Sequence, residues 1–134
     1  MCLTSKIKVP SIASEDIICY KVLCYETKAS CYTTPYQRAS VTLNQMFIAK
    51  ESEKIISFYK DYYIIDKGFI HAYLDKERAI KLAKDFTEES LIDRTLFVKG
   101  FVVKAIIKKG TQYYHGICGD VCATKIFITD EEII

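Results

Sequence analysis

Residues 17–25, Ile-Ile-Cys-Tyr-Lys-Val-Leu-Cys-Tyr, alternate between two faces that are both largely apolar. Ile17, Cys19, Lys21, Leu23 and Tyr25 fall on one face, and Ile18, Tyr20, Val22 and Cys24 on the other. Alternation with strand-forming residues predicts a β-strand, and two apolar faces predict a central one. Residues 69–74 also alternate, with Ile70, Ala72 and Leu74 on an apolar face. Phe69, His71 and Tyr73 share the other face. Asp75 then stands where a helix N-cap belongs, and Ala79, Leu82, Ala83 and Phe86 recur at helical spacing, so a helix is predicted over 76–86. Residues 87–94 read as a charged loop.

A long strand follows over 96–108, bent at Gly100. Residues 111–116, Thr-Gln-Tyr-Tyr-His-Gly, form a glycine-punctuated aromatic segment between strands, and residues 125–129 read as a last strand before an acidic end. Residues 61–65 are short and strand-like, and Asp66-Lys67-Gly68 is a turn signal. Residues 41–48 fit either a strand or the start of a helix running through Tyr59. Residues 27–37 read as a polar loop, and residues 1–16, with mixed charge and Pro10, as an N-terminal arm. The expected fold is a single α+β domain over 17–134, with a twisted antiparallel or mixed sheet and one or two helices.

Length and composition narrow the classes. A chain of 134 residues, half of them apolar and 27% charged, buries a real core as one soluble domain. A net charge of +2 gives no reason to expect nucleic acid as a partner. No apolar run reaches transmembrane length, so no membrane partner is expected. The N-terminal stretch lacks the apolar core of a secretion signal, which makes a cytoplasmic location, and reduced thiols for the six cysteines, the expectation. The homo-oligomeric state stays open.

Several residues carry candidate chemistry. Lys21 on a two-sided apolar strand must reach solvent at a sheet edge, pair, or meet an anion such as a phosphate or carboxylate. His71 beside Tyr73 and Phe69 is either a site group or a satisfied core polar group. Tyr113, Tyr114 and His115 are either solvent-facing hairpin residues or a stacking platform for a planar ligand. His115, Cys118 and Cys122 are zinc-ligand types, with Cys31 or Cys2 as a fourth only if the chain folds back, so no metal and no cofactor is expected. Cys2 would become N-terminal on loss of Met1, as in one amidotransferase class, but those chains continue with glycine and here Leu3 follows. Phosphate-cradling glycine loops, nucleotide fingerprints and serine elbows are absent from the sequence.

The blocks Ile18-Cys-Tyr-Lys-Val-Leu23, Gly68-Phe-Ile-His-Ala-Tyr73, Tyr113-Tyr-His-Gly116 and Cys122-Ala-Thr-Lys-Ile126 resemble a family of small uncharacterised proteins from gut bacteria and their phages. Their order also resembles the ADP-ribosyltransferase fold. In that likeness Tyr20-Lys21 matches the first motif and His71-Ala-Tyr73 the second. Ala123-Thr124-Lys125 stands where the catalytic acidic residue belongs, with Asp120 as the nearest carboxylate. The resemblance implies binding of a small anionic, nucleotide-derived ligand without catalysis. The contacts would come from Tyr20, Lys21, Phe69, His71, Tyr73, Tyr113, Tyr114, His115 and Asp120, and a phage protein of this kind could sequester a host immune signal. The alternatives are an ADP-ribosyltransferase-like enzyme and a protein-interaction module with a tyrosine-rich face. Catalysis would need Asp120 in one cleft with Lys21 and His71.

Overall fold

The computed structural model describes residues 3–26, 30–35, 39–50, 56–65, 68–92 and 99–134. The chain opens with β1 (Leu3–Ser5), β2 (Ser11–Ile12) and the long β3 (Ile17–Glu26). Short strands follow: β4 (Cys31–Thr33), β5 (Ser40–Val41), β6 (Gln45–Ile48), β7 (Ile56–Tyr59), β8 (Tyr62–Ile65) and β9 (Ile70–Tyr73). The helix α1 (Lys76–Ile92) leads to β10 (Lys99–Ile107), β11 (Gln112–His115), β12 (Asp120–Ala123) and β13 (Lys125–Glu132). This is a single α+β domain with a large antiparallel sheet and, among the described residues, one helix, as the alternation of residues 17–25 and 69–74 implied.

The main sheet runs β2-β11-β12-β9-β3-β10-β13-β6, and β3 is indeed central. Strands β12 and β13 are one stretch of chain interrupted at Thr124, yet they sit four places apart in that order. Laid flat, four strand spacings would separate them by about 19 Å. The two chain steps from Ala123 to Lys125 reach about 7 Å. The strip from β12 to β13 therefore curls until its ends meet, closing a small barrel. Thr124 is the seam: its N–H donates to the Gln112 carbonyl at 3.2 Å, and its carbonyl accepts the Ala49 N–H at 2.9 Å.

The inward-facing residues form the main core. Cys19, Leu23, Ala72, Ala105, Ala123 and Ile126 are all buried there. Small side chains at Ala72, Ala105 and Ala123 suit a tight barrel lumen, where large residues on every strand would collide. The outer face is covered in two places. Helix α1 lays Ala79, Ala83 and Phe86 against Val22, Cys24, Tyr73 and Val102. Gly100 permits this approach, because a Cβ there would overlap the Ala83 carbonyl. A separate three-stranded sheet, β1-β8-β7, packs Leu3 and Ile65 against Phe69, Tyr114 and Cys122.

A third part of the outer face belongs to neither the helix-covered cluster nor the one under the small sheet. Ile18, Ile106, Phe127 and Met46 lie opposite one another across β3, β10, β13 and β6, and Ile18 is 43% exposed.

Several expectations change. Segment 3–16, read as an arm, contributes β1 and β2, and Leu3 is fully buried. Of the two readings left open for residues 41–48, the strand holds: Ser40–Val41, Gln45–Ile48 and Ile56–Tyr59 are strands. The helix continues to Ile92 through part of what read as a charged loop. Glu88 and Glu89 are exposed on it, which is where a helix tolerates charge. Within the polar loop read over 27–37, Cys31–Thr33 forms an extra strand. The turn signal at Asp66 and Lys67, and the start of the long strand at 96–98, lie outside the described residues. No helix among those residues is long and apolar enough to cross a membrane.

Candidate functional site

Four side chains form a row across the outer face. Asp120 on β12 registers with Tyr73 on β9, Tyr73 with Tyr20 on β3, and Tyr20 with Lys104 on β10. Directly opposed residues of antiparallel strands project to the same side, so all four point outward. Tyr73 is buried against the helix, whereas Tyr20, Lys104 and Asp120 are half-buried. The Arg78 guanidinium lies 5.7 Å from the Tyr73 ring centre and also donates to the Cys118 carbonyl. At the other end of the row, Lys104 Nζ lies 3.5 Å from a Glu131 carboxylate oxygen.

The row is held from below and from its end. Asp75 caps the helix by accepting the Glu77 N–H at 3.0 Å, which fixes where Arg78 leaves the first turn. The Leu74 N–H donates to the Gly119 carbonyl at 2.9 Å and ties the β11–β12 hairpin to the start of the helix. Asp120 folds its carboxylate over Gly116, where a Cβ would overlap it. Its Oδ1 is buried with no hydrogen-bond partner among the described residues.

Lys21 is elsewhere. Neighbouring residues on a strand face opposite ways. Lys21 therefore points inward, while Tyr20, Tyr73 and His71 point outward. Lys21 and His71, counted together among the expected ligand contacts, lie on opposite sides of the sheet, because the Tyr20–Tyr73 register sets them so. Lys21 is 6% exposed, and its Nζ donates to the His71 carbonyl at 2.6 Å. Burial pulls its ammonium down from 10.5 to about 8, against the opposing pull of Cys19 and Cys24. Burial pushes the Cys19 thiol up to about 12, while Lys21 draws it down.

The aromatic triplet divides for the same reason. Tyr113 turns inward and packs on the barrel core. Tyr114 turns outward, stacks edge-on against Phe69 at 5.4 Å and donates its hydroxyl to the Lys8 carbonyl at 2.6 Å. Burial, and then Cys122, raise its phenol above the usual range. His115 is exposed at the rim. Consecutive strand residues cannot stack one planar ligand together, so the triplet is no platform.

The thiols follow the same parity. Cys19 is buried inside the barrel, Cys24 is buried outside under the helix, and Cys122 is buried beneath Leu3 and Ile65. Burial raises the Cys122 thiol strongly, with Asp120 adding to the rise and a hydrogen bond to the Tyr114 backbone opposing it. Cys118 is exposed. Among the described residues no three His, Cys, Asp or Glu side chains gather as metal ligands, and Cys2 lies outside them.

Of the residues singled out in the sequence, the structure thus places Tyr20, His71, Tyr73 and Asp120 on one outer surface. Phe69 and Tyr114 continue it beneath the small sheet. Lys21 and Tyr113 face inward. Arg78 and Lys104 were missed. The helix cap at Asp75 placed Arg78 in the first turn, but only cross-strand register brings Lys104 beside Tyr20. Compared with protein-family models, curated proteins and solved structures, the chain finds no match.

Proposed function

We propose that the protein binds a small anionic ligand with a planar, nucleotide-derived group, without turning it over, along the Asp120–Tyr73–Tyr20–Lys104 row. The observation that supports this reading is the pairing of Tyr20 and Tyr73 between two cations, Lys104 and Arg78. Half-buried Tyr20 offers an apolar ring and a polar tip to a planar group, and Tyr73, buried against the helix, backs it. Lys104 can serve an anion because its pair with Glu131 is a surface one, with side chains 34% and 60% exposed. Such pairs contribute about 0–1 kcal/mol, so a phosphate can displace the glutamate. The nucleotide-derived character rests on the resemblance to the ADP-ribosyltransferase fold, and a role in sequestering an immune signal on that to small phage and bacterial proteins.

Transferase chemistry has less support. It would need Asp120 and Lys21 in one cleft, and the two occupy opposite faces of the sheet. The interaction-module reading is favoured by the apolar row Ile18, Ile106, Phe127 and Met46, of which Ile18 is exposed and the other three are half-buried.

A thermal-shift and calorimetric screen against nucleotides, cyclic nucleotides and ADP-ribose derivatives tests the proposal. A ligand at 100 times its dissociation constant should raise stability by about 2.7 kcal/mol. Lys104→Ala should weaken that ligand by about 1.5–3 kcal/mol, through loss of a charge-assisted hydrogen bond. Stabilisation by none of the three ligand classes would remove the reading. Cleavage of NAD that Asp120→Asn abolishes would replace it with the enzyme.

A further inference from the structure

Residues 6–12, Lys-Ile-Lys-Val-Pro-Ser-Ile, run from the end of β1 through β2, the terminal strand of the main sheet among the described strands. Large aliphatic side chains stand in water along this segment: Ile7 is 57%, Val9 70% and Ile12 58% exposed. The backbone beneath them is pinned. The Ile7 N–H donates to Ser5 Oγ at 3.2 Å, the Lys8 carbonyl accepts the Tyr114 hydroxyl at 2.6 Å, and the Ala13 N–H donates to the Thr111 carbonyl at 3.0 Å. The fold therefore holds these aliphatic groups outward, against the hydrophobic effect, which is how a contact surface is presented.

Charge selects the occupant. The first acidic residue of the chain is Glu15, so Lys6 and Lys8 lie among the aliphatic groups with no carboxylate in the segment. The flanking charges cancel. The register of β1 with β8 brings the turn carrying Lys60 and Asp61 toward Lys6. Past Ala13, Glu15 and Asp16 stand with Lys108 and Lys109; Asp16 lies 4.0 Å from the Lys108 ammonium and accepts the Lys109 N–H at 2.9 Å. What remains uncompensated is the pair of lysines within the segment. The edge offers little ladder to another strand, because β2 is two residues long and Pro10 has no N–H. The segment also has no aromatic ring on which a nucleic-acid base could stack.

We propose that the segment from Lys6 to Ile12 docks the protein on an anionic bilayer surface. Ile7, Val9 and Ile12 enter the headgroup region, and Lys6 and Lys8 reach the lipid phosphates and carboxylates. A contact in the interface plane needs no spanning segment. A fluid bilayer closes around protruding side chains without a matching groove, and the lysine stems extend to its negative charge.

Co-sedimentation of the full chain with vesicles tests the proposal, using phosphatidylcholine alone and phosphatidylcholine mixed with phosphatidylserine. The wild type should pellet with the mixed vesicles, stay in solution with the neutral ones, and detach as salt is raised. Lys6→Gln combined with Lys8→Gln should weaken binding about thirtyfold, the effect of two lysines at a charged surface. Lys81→Gln combined with Lys84→Gln removes the same charge from exposed helix positions and should change binding by less than about threefold, since distant charges are screened. Val9→Asp should abolish pelleting while keeping the wild-type melting temperature, because the side chain is exposed. A wild type that stays in solution at millimolar lipid, about ten times what one acyl chain needs for half binding, would overturn the proposal. So would equal pelleting with neutral vesicles, binding that survives Val9→Asp, or equal losses in the two lysine pairs.

Discussion

The Lys21 ammonium donates to the His71 carbonyl at 2.6 Å although the two side chains point to opposite faces of the sheet. The contact is made through the backbone of β9, where a single registered pair, Tyr20 with Tyr73, holds that strand to β3. Beyond that pair, the long lysine stem lies within the lumen and its head supplies a donor to the neighbouring strand. Lys21 has no carboxylate partner among the described residues, so its charge is buried against a neutral oxygen.

A buried lysine of this kind should leave a mark on the pH dependence of stability. The fall from 10.5 to about 8 corresponds to roughly 3 kcal/mol of charge-burial cost. Below pH 8 the ammonium is charged in both the folded and the unfolded chain, and the whole cost applies. Between pH 8 and 10.5 the unfolded chain holds the proton and the folded one has released it, so stability rises with pH. Above 10.5 the cost is gone. The Cys19 thiol acts in the opposite direction above pH 9, because it ionises in the unfolded chain while burial holds it protonated to about 12. Comparison with Lys21→Met isolates the lysine. In urea titrations the wild type should gain on the variant between pH 7.5 and 10, and a constant difference would show that Lys21 keeps its ordinary affinity for a proton.

Gly100→Ala should destabilise the fold by about 1–3 kcal/mol. The added methyl meets the Ala83 carbonyl, and the helix must lift from β10 to admit it. Denaturant midpoints measure the loss. A neutral substitution would mean that the helix slides at little cost.

The first residues carry weight that a dangling segment would not. Leu3 is fully buried with Ile65, Phe69 and Tyr114, so Leu3→Ala should cost about 2–5 kcal/mol in the same assay. An effect below about 0.5 kcal/mol, as at surface positions, would return the segment to the status of an arm.

Thiol reactivity should divide by depth. Cys118 is exposed and should be alkylated in the native protein, whereas Cys19 and Cys122 are buried, with thiols pushed up by that burial, and should react only on unfolding. Peptide mass mapping after a short native pulse of alkylating agent reads this out. Early labelling of Cys122 would mean that the small sheet opens readily over it.

The sequence made β3, β9 and the start of the helix legible because each rests on local chemistry: alternation in residues 17–25 and 69–74, and Asp75 as a cap. The far end of the helix was harder. Thr87 looked like a break, yet its hydroxyl bonds the Ala83 carbonyl at 3.0 Å and accepts the Gly100 N–H at 2.9 Å, so it joins helix to strand. Tyr20, His71, Tyr73 and Asp120 could each be picked out as unusual. Which of them share a surface depends on register between strands distant in sequence, and no local pattern encodes that. Lys21 was recognised as anomalous, but its partner is a main-chain oxygen, which every residue has.

The seam at Thr124 also dictates when the barrel can exist. The chain on one side of it pairs with residues 70–73, and on the other side with residues 45–48 and 105–106. While the chain is being synthesised, β3, β9 and β10 leave the ribosome with their lumen-facing side chains still open to water. Closure waits for the stretch around Thr124 to emerge, and Gln45 must then find Ile128 across most of the chain. Such distant pairings are slow to form, and an apolar half-barrel left open in the meantime is what chaperones shield from aggregation. The nascent protein is therefore most vulnerable just before its last strands arrive.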